Sequence, residues 1–198
     1  MTQQIITVVS GLPRSGTSLL MQMLEAGGME ILTDNSRKTD EDNPKGYYEF
    51  EKVKGLSKDN LWLKDAKGKA IKIISALLEY IPSIYNYKNF FMRRNIDEII
   101  VSQKQMLIRR GLSTDEVNDE MTKRIFLKHI RQVEDWLNKQ QNIDVFYVNY
   151  NEVVKDPVKY SEKINQFLGN ILNTEHMVSV VDEILYRHRC EPFVYYGN

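Results

Sequence analysis

The run Gly11-Leu12-Pro13-Arg14-Ser15-Gly16-Thr17-Ser18 sets two glycines and three hydroxyls around one arginine, between an apolar β-branched stretch and a helical one. Where such a loop enters a helix, backbone N–H groups and the positive end of the helix dipole make an anion site. The chemistry expected there is transfer of a group from a phosphate- or sulfate-bearing donor. The glycine spacing is that of a nucleotide-binding P-loop, yet Thr17 stands where a nucleoside triphosphatase has its lysine. The positive charge sits instead on Arg14, in mid-loop, where it can stabilise charge on a leaving group. Lys72 lies inside the apolar run Ala70 to Ile74, and a lysine in such a strand is rarely without a partner. Glu49 closes a long polar stretch and is placed to act as a general base, with Glu51 two residues on. The other reading of Glu49 is an acidic residue at the start of a helix from Phe50 to Ser57, favoured there by the helix dipole.

The elements that must hold these residues alternate along the chain. Ile5 to Val9 reads as a strand buried on both faces, and Ser18 to Ala26 as a helix with Gly27-Gly28 as its stop. About residues 29–50 the chain is polar and irregular, with Pro44 and Gly46 as breakers, which suggests a lid or acceptor-side segment. Ala70 to Ile74, Asn89 to Met92 and Asp144 to Val148 read as further strands. Helices are expected over Asp97 to Arg109, Asp115 to Lys139, Asp156 to Gly169 and Thr174 to Arg187. Strands alternating with helices predict a three-layer α/β domain with a mainly parallel central sheet, one domain over residues 1–198.

Pro13-Arg14-Ser15-Gly16-Thr17-Ser18 resembles the 5′-phosphosulfate-binding loop of the P-loop sulfotransferases, Pro-Lys/Arg-Ser-Gly-Thr-Thr/Ser. A second stretch, Phe90 to Ser102, is similar to the family's strand that ends in an arginine with a serine eight positions later. Arg94 and Ser102 have that spacing, whereas Arg93 has Val101 at the matching place. The resemblance implies a nucleotide-kinase-like sulfotransferase fold, with Pro13 to Ser18, Arg94 and Ser102 binding 3′-phosphoadenosine-5′-phosphosulfate (PAPS). Arg94 and Ser102 would take its 3′-phosphate, since a guanidinium grips phosphate in bidentate fashion and a hydroxyl adds a donor. Phe146 to Pro157, followed by Phe167-Leu168-Gly169, is similar to the family's Tyr-Glu-Asp-Leu segment and implies that Tyr150 approaches the adenine. Lys72, with Pro82 ten positions on, resembles the cytosolic enzymes' Lys-Thr-His strand, which implies contact between Lys72 and the sulfuryl group. Some family members use a glutamate downstream of the loop, and this too points to Glu49. The chain departs from the cytosolic enzymes in carrying Ile74 where they have a histidine, and in lacking their C-terminal Arg-Lys-Gly loop. Tyr186-Arg187-His188-Arg189 is a basic cluster that could substitute. The overall look is that of short bacterial family members.

The activity so implied is sulfuryl transfer from PAPS to a hydroxyl or amine, with 3′-phosphoadenosine-5′-phosphate (PAP) as product and no metal required. A small molecule or carbohydrate is the expected acceptor, or a protein. Two competing readings are a P-loop nucleotide or small-molecule kinase, opposed by the missing lysine, and a catalytically silent nucleotide-binding module. Lysine plus arginine and aspartate plus glutamate each total 27, and this balance argues against a nucleic-acid or membrane coat. A single cysteine, Cys190, excludes an internal disulfide and suits the cytoplasm. His129 and His176 read as surface residues, with His188 a minor candidate base.

Overall fold

All six residues of β1 (Ile6–Gly11) are buried, as a two-sided apolar run requires. β1 pairs in parallel with β2 (Ala70–Lys72) on one side and β3 (Tyr87–Arg93) on the other, and β3 pairs in parallel with β4 (Ile143–Asn149). The order across the sheet is thus β2-β1-β3-β4. The computed structural model describes residues 5–34, 37, 39–40, 43, 45–114 and 118–182. Ile6, Val8, Tyr87 and Phe91 point to one face of the sheet, Val9, Phe90 and Met92 to the other. On the first face the core is completed by α2 (Ile96–Arg109), α3 (Asp119–Leu137) and short 3-10 helices. On the second it is completed by α1 (Thr17–Ala26), α4 (Tyr150–Lys155), α5 (Pro157–Phe167) and α6 (Thr174–Ser179). Two apolar layers on a parallel sheet make the expected three-layer α/β fold.

The departures from expectation are local. The second strand stops at Lys72 because Ile74 already caps a 3-10 helix, Ser75–Tyr80. The segment expected as a helix from Phe50 is a 3-10 helix at Glu51–Gly55, which leaves Glu49 outside it. Tyr150 does not end a strand; it opens α4, capped by Asn149. α6 ends at Ser179, where the β-branched Val178, Val180 and Val181 favour helix poorly. The start expected for α3, Asp115, lies outside the described residues, as does the cluster Arg187-His188-Arg189. His129 is half-buried rather than solvated, and its Nε2 lies 2.8 Å from Ser75 Oγ, tying α3 to that 3-10 helix. Burial lowers its pKa, against an opposing pull from Glu79.

The register decides where chemistry can happen. Val9 faces Lys72, and Gly11 faces Met92, so the loop after β1, the end of β2 and the turn after β3 share one edge of the sheet. In open α/β sheets, ligands bind at this carboxyl edge.

Candidate active site

Five helices begin with an Asn or Asp side chain that accepts a hydrogen bond from the first turn: Asn95, Asn118, Asn149, Asp156 and Asn173. α1 does not. Its cap is Gly16, left-handed at φ 101°, with no side-chain hydrogen bond and no acidic residue in the first turn. The amides and the dipole of α1 are therefore left for an anion from outside the chain. Gly16 is required for space as well as angle, since a Cβ there would come within 2.3 Å of the Tyr150 ring. Arg14 is also left-handed, at φ 75°, an uncommon state for a non-glycine residue that needs support. The support is visible: Arg94 Nη1 donates to the Arg14 carbonyl at 3.1 Å, and Gln103 Nε2 donates to the Pro13 carbonyl at 3.1 Å.

The loop floors a cavity of about 340 Å³ lined by Arg14, Gly16, Thr17, Ser18, Lys72, Glu49, Arg94, Ser102 and Tyr150, among others. All three residues expected to do chemistry and most of those expected to bind donor are brought to this one place. Arg14 Nε donates to Ser102 Oγ at 2.9 Å. Arg94 is only 8% exposed; its Nε donates to the fully buried carboxylate of Glu98 at 2.8 Å, and its guanidinium lies 4.5 Å from the Tyr150 ring centre. Arg94 thus braces the loop from behind while still lining the cavity. Ser15 is buried beneath the loop with an Oγ that makes no hydrogen bond. Tyr150 is buried, and burial raises its hydroxyl pKa while Arg94 and Arg14 pull it down.

Lys72 Nζ donates to the Tyr47 carbonyl at 2.8 Å and to Ser18 Oγ at 3.3 Å, so it reaches from β2 to the mouth of α1. Burial pushes its pKa down to about 8, against Glu49, which raises it, and with help from Arg37 and Arg14. Glu49 Oε1 accepts from Arg37 Nη1 at 3.0 Å, and Arg37 stacks 3.3 Å over the Tyr47 ring. Glu51 faces away: it pairs with Lys54 at 2.7 Å on the surface. Asn43 Nδ2 donates to Ser18 Oγ at 2.8 Å, so described parts of the polar 29–50 segment form one wall.

Arg37, Asn43, Arg109 and Arg110 also line the cavity, and sequence reasoning assigned them no role. For Arg109 a signal existed, since it follows Ser102 by seven residues, two turns along one helix face. For Arg37 none did, because the irregular segment has no period. Among the described residues six basic side chains line the cavity against two acidic ones, Glu49 and Asp182. Such a site suits a multiply charged anion, and it can polarise a leaving phosphate from Arg14 and Lys72 together.

Solved sulfotransferase structures share this fold. Mouse sulfotransferase SULT7A1, complexed with PAP, superposes with a TM-score of 0.55 at 23% identity, over 91% of this chain and 63% of that one. The chain therefore spans less than two thirds of the mouse protein's length. The sulfotransferase domain from the curacin biosynthetic pathway gives a TM-score of 0.51 at 14% identity, over 97% of this chain and 94% of that one. No curated protein sequence is a significant match. Among the described residues no helix is long and apolar enough to cross a membrane. The model of the sulfotransferase domain matches residues 5–189, nearly the whole chain, and the chain belongs to that family.

Proposed function

We propose that the chain transfers a sulfuryl group from PAPS to the hydroxyl or amine of a small-molecule acceptor. The observation that carries this reading is the convergence of Arg14, Lys72 and Glu49 on the uncapped start of α1, in one cavity. The residues present fit the donor. The amides at the start of α1, with Ser18 and Lys72, would hold its 5′-phosphosulfate end. Ser102 and Arg94 would meet the 3′-phosphate, and Tyr150 the adenine side. The acceptor oxygen or nitrogen forms a bond to sulfur as the bond from sulfur to the bridging phosphate oxygen breaks, and PAP leaves with that electron pair. Arg14 offsets the charge that grows on the bridging oxygen, and Lys72, still charged in most molecules at neutral pH, adds to the effect. Glu49 takes the acceptor proton, with Arg37 fixing its position. In this reading residues 1–198 form one domain, with 29–50 as its acceptor-side lid, and the lone Cys190 suits the cytoplasm.

A thermal-shift comparison of PAP, AMP and ATP tests the donor. A ligand that binds only the native state adds about 2.7 kcal/mol at a hundred times its Kd. PAP should stabilise far more than AMP or ATP; equal shifts would refute the assignment. Glu49→Gln should lower turnover by about 10²- to 10⁴-fold with PAP affinity intact, while Glu51→Gln leaves the rate unchanged.

A further inference from the structure

The wall opposite the lid is the far end of α2. Ser102, Met106 and Arg109 follow one another at helical spacing, Arg110 adjoins them, and all four line the cavity. α2 starts at Asn95, beside the end of β3, and crosses the loop where Ser102 meets Arg14 and Gln103 meets Pro13. A helix keeps its direction at about 1.5 Å per residue, so Arg109 lies about 10 Å beyond Ser102 and about 20 Å from the helix start. A phosphate held near Ser102 and Arg94 does not also occupy that end. The direction from β3 across the β1 loop leads toward the β2 side of the sheet, where Ile74, also in the cavity wall, follows Lys72. In the sulfotransferase reading the acceptor meets the sulfuryl end of the donor near Lys72, and Arg109 and Arg110 line the cavity in that direction. Arg37, across the cavity, is paired with Glu49 and Asp40 and adds no further cation for an acceptor. The helix C-terminus by itself favours one cation, whereas here two adjacent arginines are turned to the cavity.

Resting on the sulfotransferase reading above, we infer that the acceptor is itself an anion, whose carboxylate or sulfate group, remote from its nucleophile, is bound by Arg109 and Arg110. A charge-assisted hydrogen bond contributes about 1.5 to 3 kcal/mol, about tenfold or more in affinity.

The test measures binding to PAP-loaded protein by calorimetry with two matched pairs: 4-hydroxyphenylacetate against tyrosol, and 4-nitrophenyl β-glucuronide against the corresponding glucoside. In the wild type the anionic member of at least one pair should bind about tenfold tighter. Arg109→Gln with Arg110→Gln should abolish that preference and leave PAP affinity unchanged. Arg109→Glu with Arg110→Glu should turn the preference toward tyramine, a gain that misfolding cannot imitate. Equal affinities within both pairs in the wild type would overturn the inference, as would a preference that survives in the glutamine variant. A fall in PAP affinity in that variant would also overturn it, by assigning the arginines to the donor. Failure of the wild type to bind PAP at all would overturn the sulfotransferase reading itself, a distinct result.

Discussion

Replacing Lys72 by methionine separates what its charge costs the fold from what it does for the chemistry. The ammonium is held between Ser18 Oγ and the Tyr47 carbonyl, and burial lowers its pKa from the ordinary 10.5 to about 8. That shift corresponds to about 3 kcal/mol of charge destabilisation in the folded state. Methionine removes this and forfeits two hydrogen bonds, to Ser18 and Tyr47, together about 1 to 2 kcal/mol. The ligand-free variant should therefore be more stable than wild type at pH 7 by about 1 to 2 kcal/mol, a rise in Tm of about 3 to 6 °C. The sign of the pH dependence follows from linkage. The folded pKa lies below the unfolded one, so between about pH 8 and 10.5 the unfolded chain binds more protons. The cost is complete below pH 8 and is relieved as pH rises to 10.5, so the variant's advantage should disappear near pH 10. Urea melts of both proteins at pH 7 and pH 10 check this, because alkaline effects common to both cancel in the difference. Turnover of the variant should fall by about 10²-fold or more. A variant less stable at pH 7, with the same gap at pH 10, would refute the burial argument; wild-type turnover would refute the catalytic one.

Arg94→Ala takes from the fully buried Glu98 carboxylate its guanidinium partner and should cost about 3 to 5 kcal/mol by urea denaturation; adding Glu98→Gln should recover much of this, and simple additivity would disprove the coupling. Gly16→Ala forces a methyl to within 2.3 Å of the Tyr150 ring at a left-handed φ, so PAP affinity should drop in a thermal-shift titration, with partial recovery when Tyr150→Ala is added. Asn89, fully buried in β3, has neither end of its side-chain amide hydrogen-bonded among the described residues, so Asn89→Val should raise stability by about 1 to 2 kcal/mol; a loss would show that the amide is satisfied.

Where chemistry and local pattern coincide, the sequence is readable. The loop from Gly11 to Ser18 joins β1 and α1 as its composition demands, because glycine, hydroxyl and apolar positions each have a local cause. Lys72 is legible for the same reason: a charge in an apolar strand has to be met by partners, and it is, by Ser18 and Tyr47. The behaviour of Arg94 is not legible, because its link to Glu98 at i+4 reads as an ordinary helix pair until both are seen to be buried. The eight-residue spacing brings Arg94 and Ser102 to one cavity, yet Arg94 braces the loop carbonyl and Ser102 receives a hydrogen bond from Arg14. The wall made by Arg37 and Asn43 comes from a segment without period, whose path is set by contacts of Arg37 with Tyr47 and Glu49 and of Asn43 with Ser18 of α1 rather than by a local repeat.

The left-handed Arg14 is held by bonds to partners 80 and 88 positions away, from Arg94 and to Ser102. A newly made or refolding chain can form α1 early, since its hydrogen bonds are local, but the loop has no reason to keep its strained shape until β3 has docked against β1 and α2 has crossed above it. Contacts that close so long a stretch of chain come late and slowly. The anion cradle is consequently among the last parts of the molecule to mature, and a partly folded chain, however helical, has no means of holding an anion there. Ligand capture thus reports completed topology.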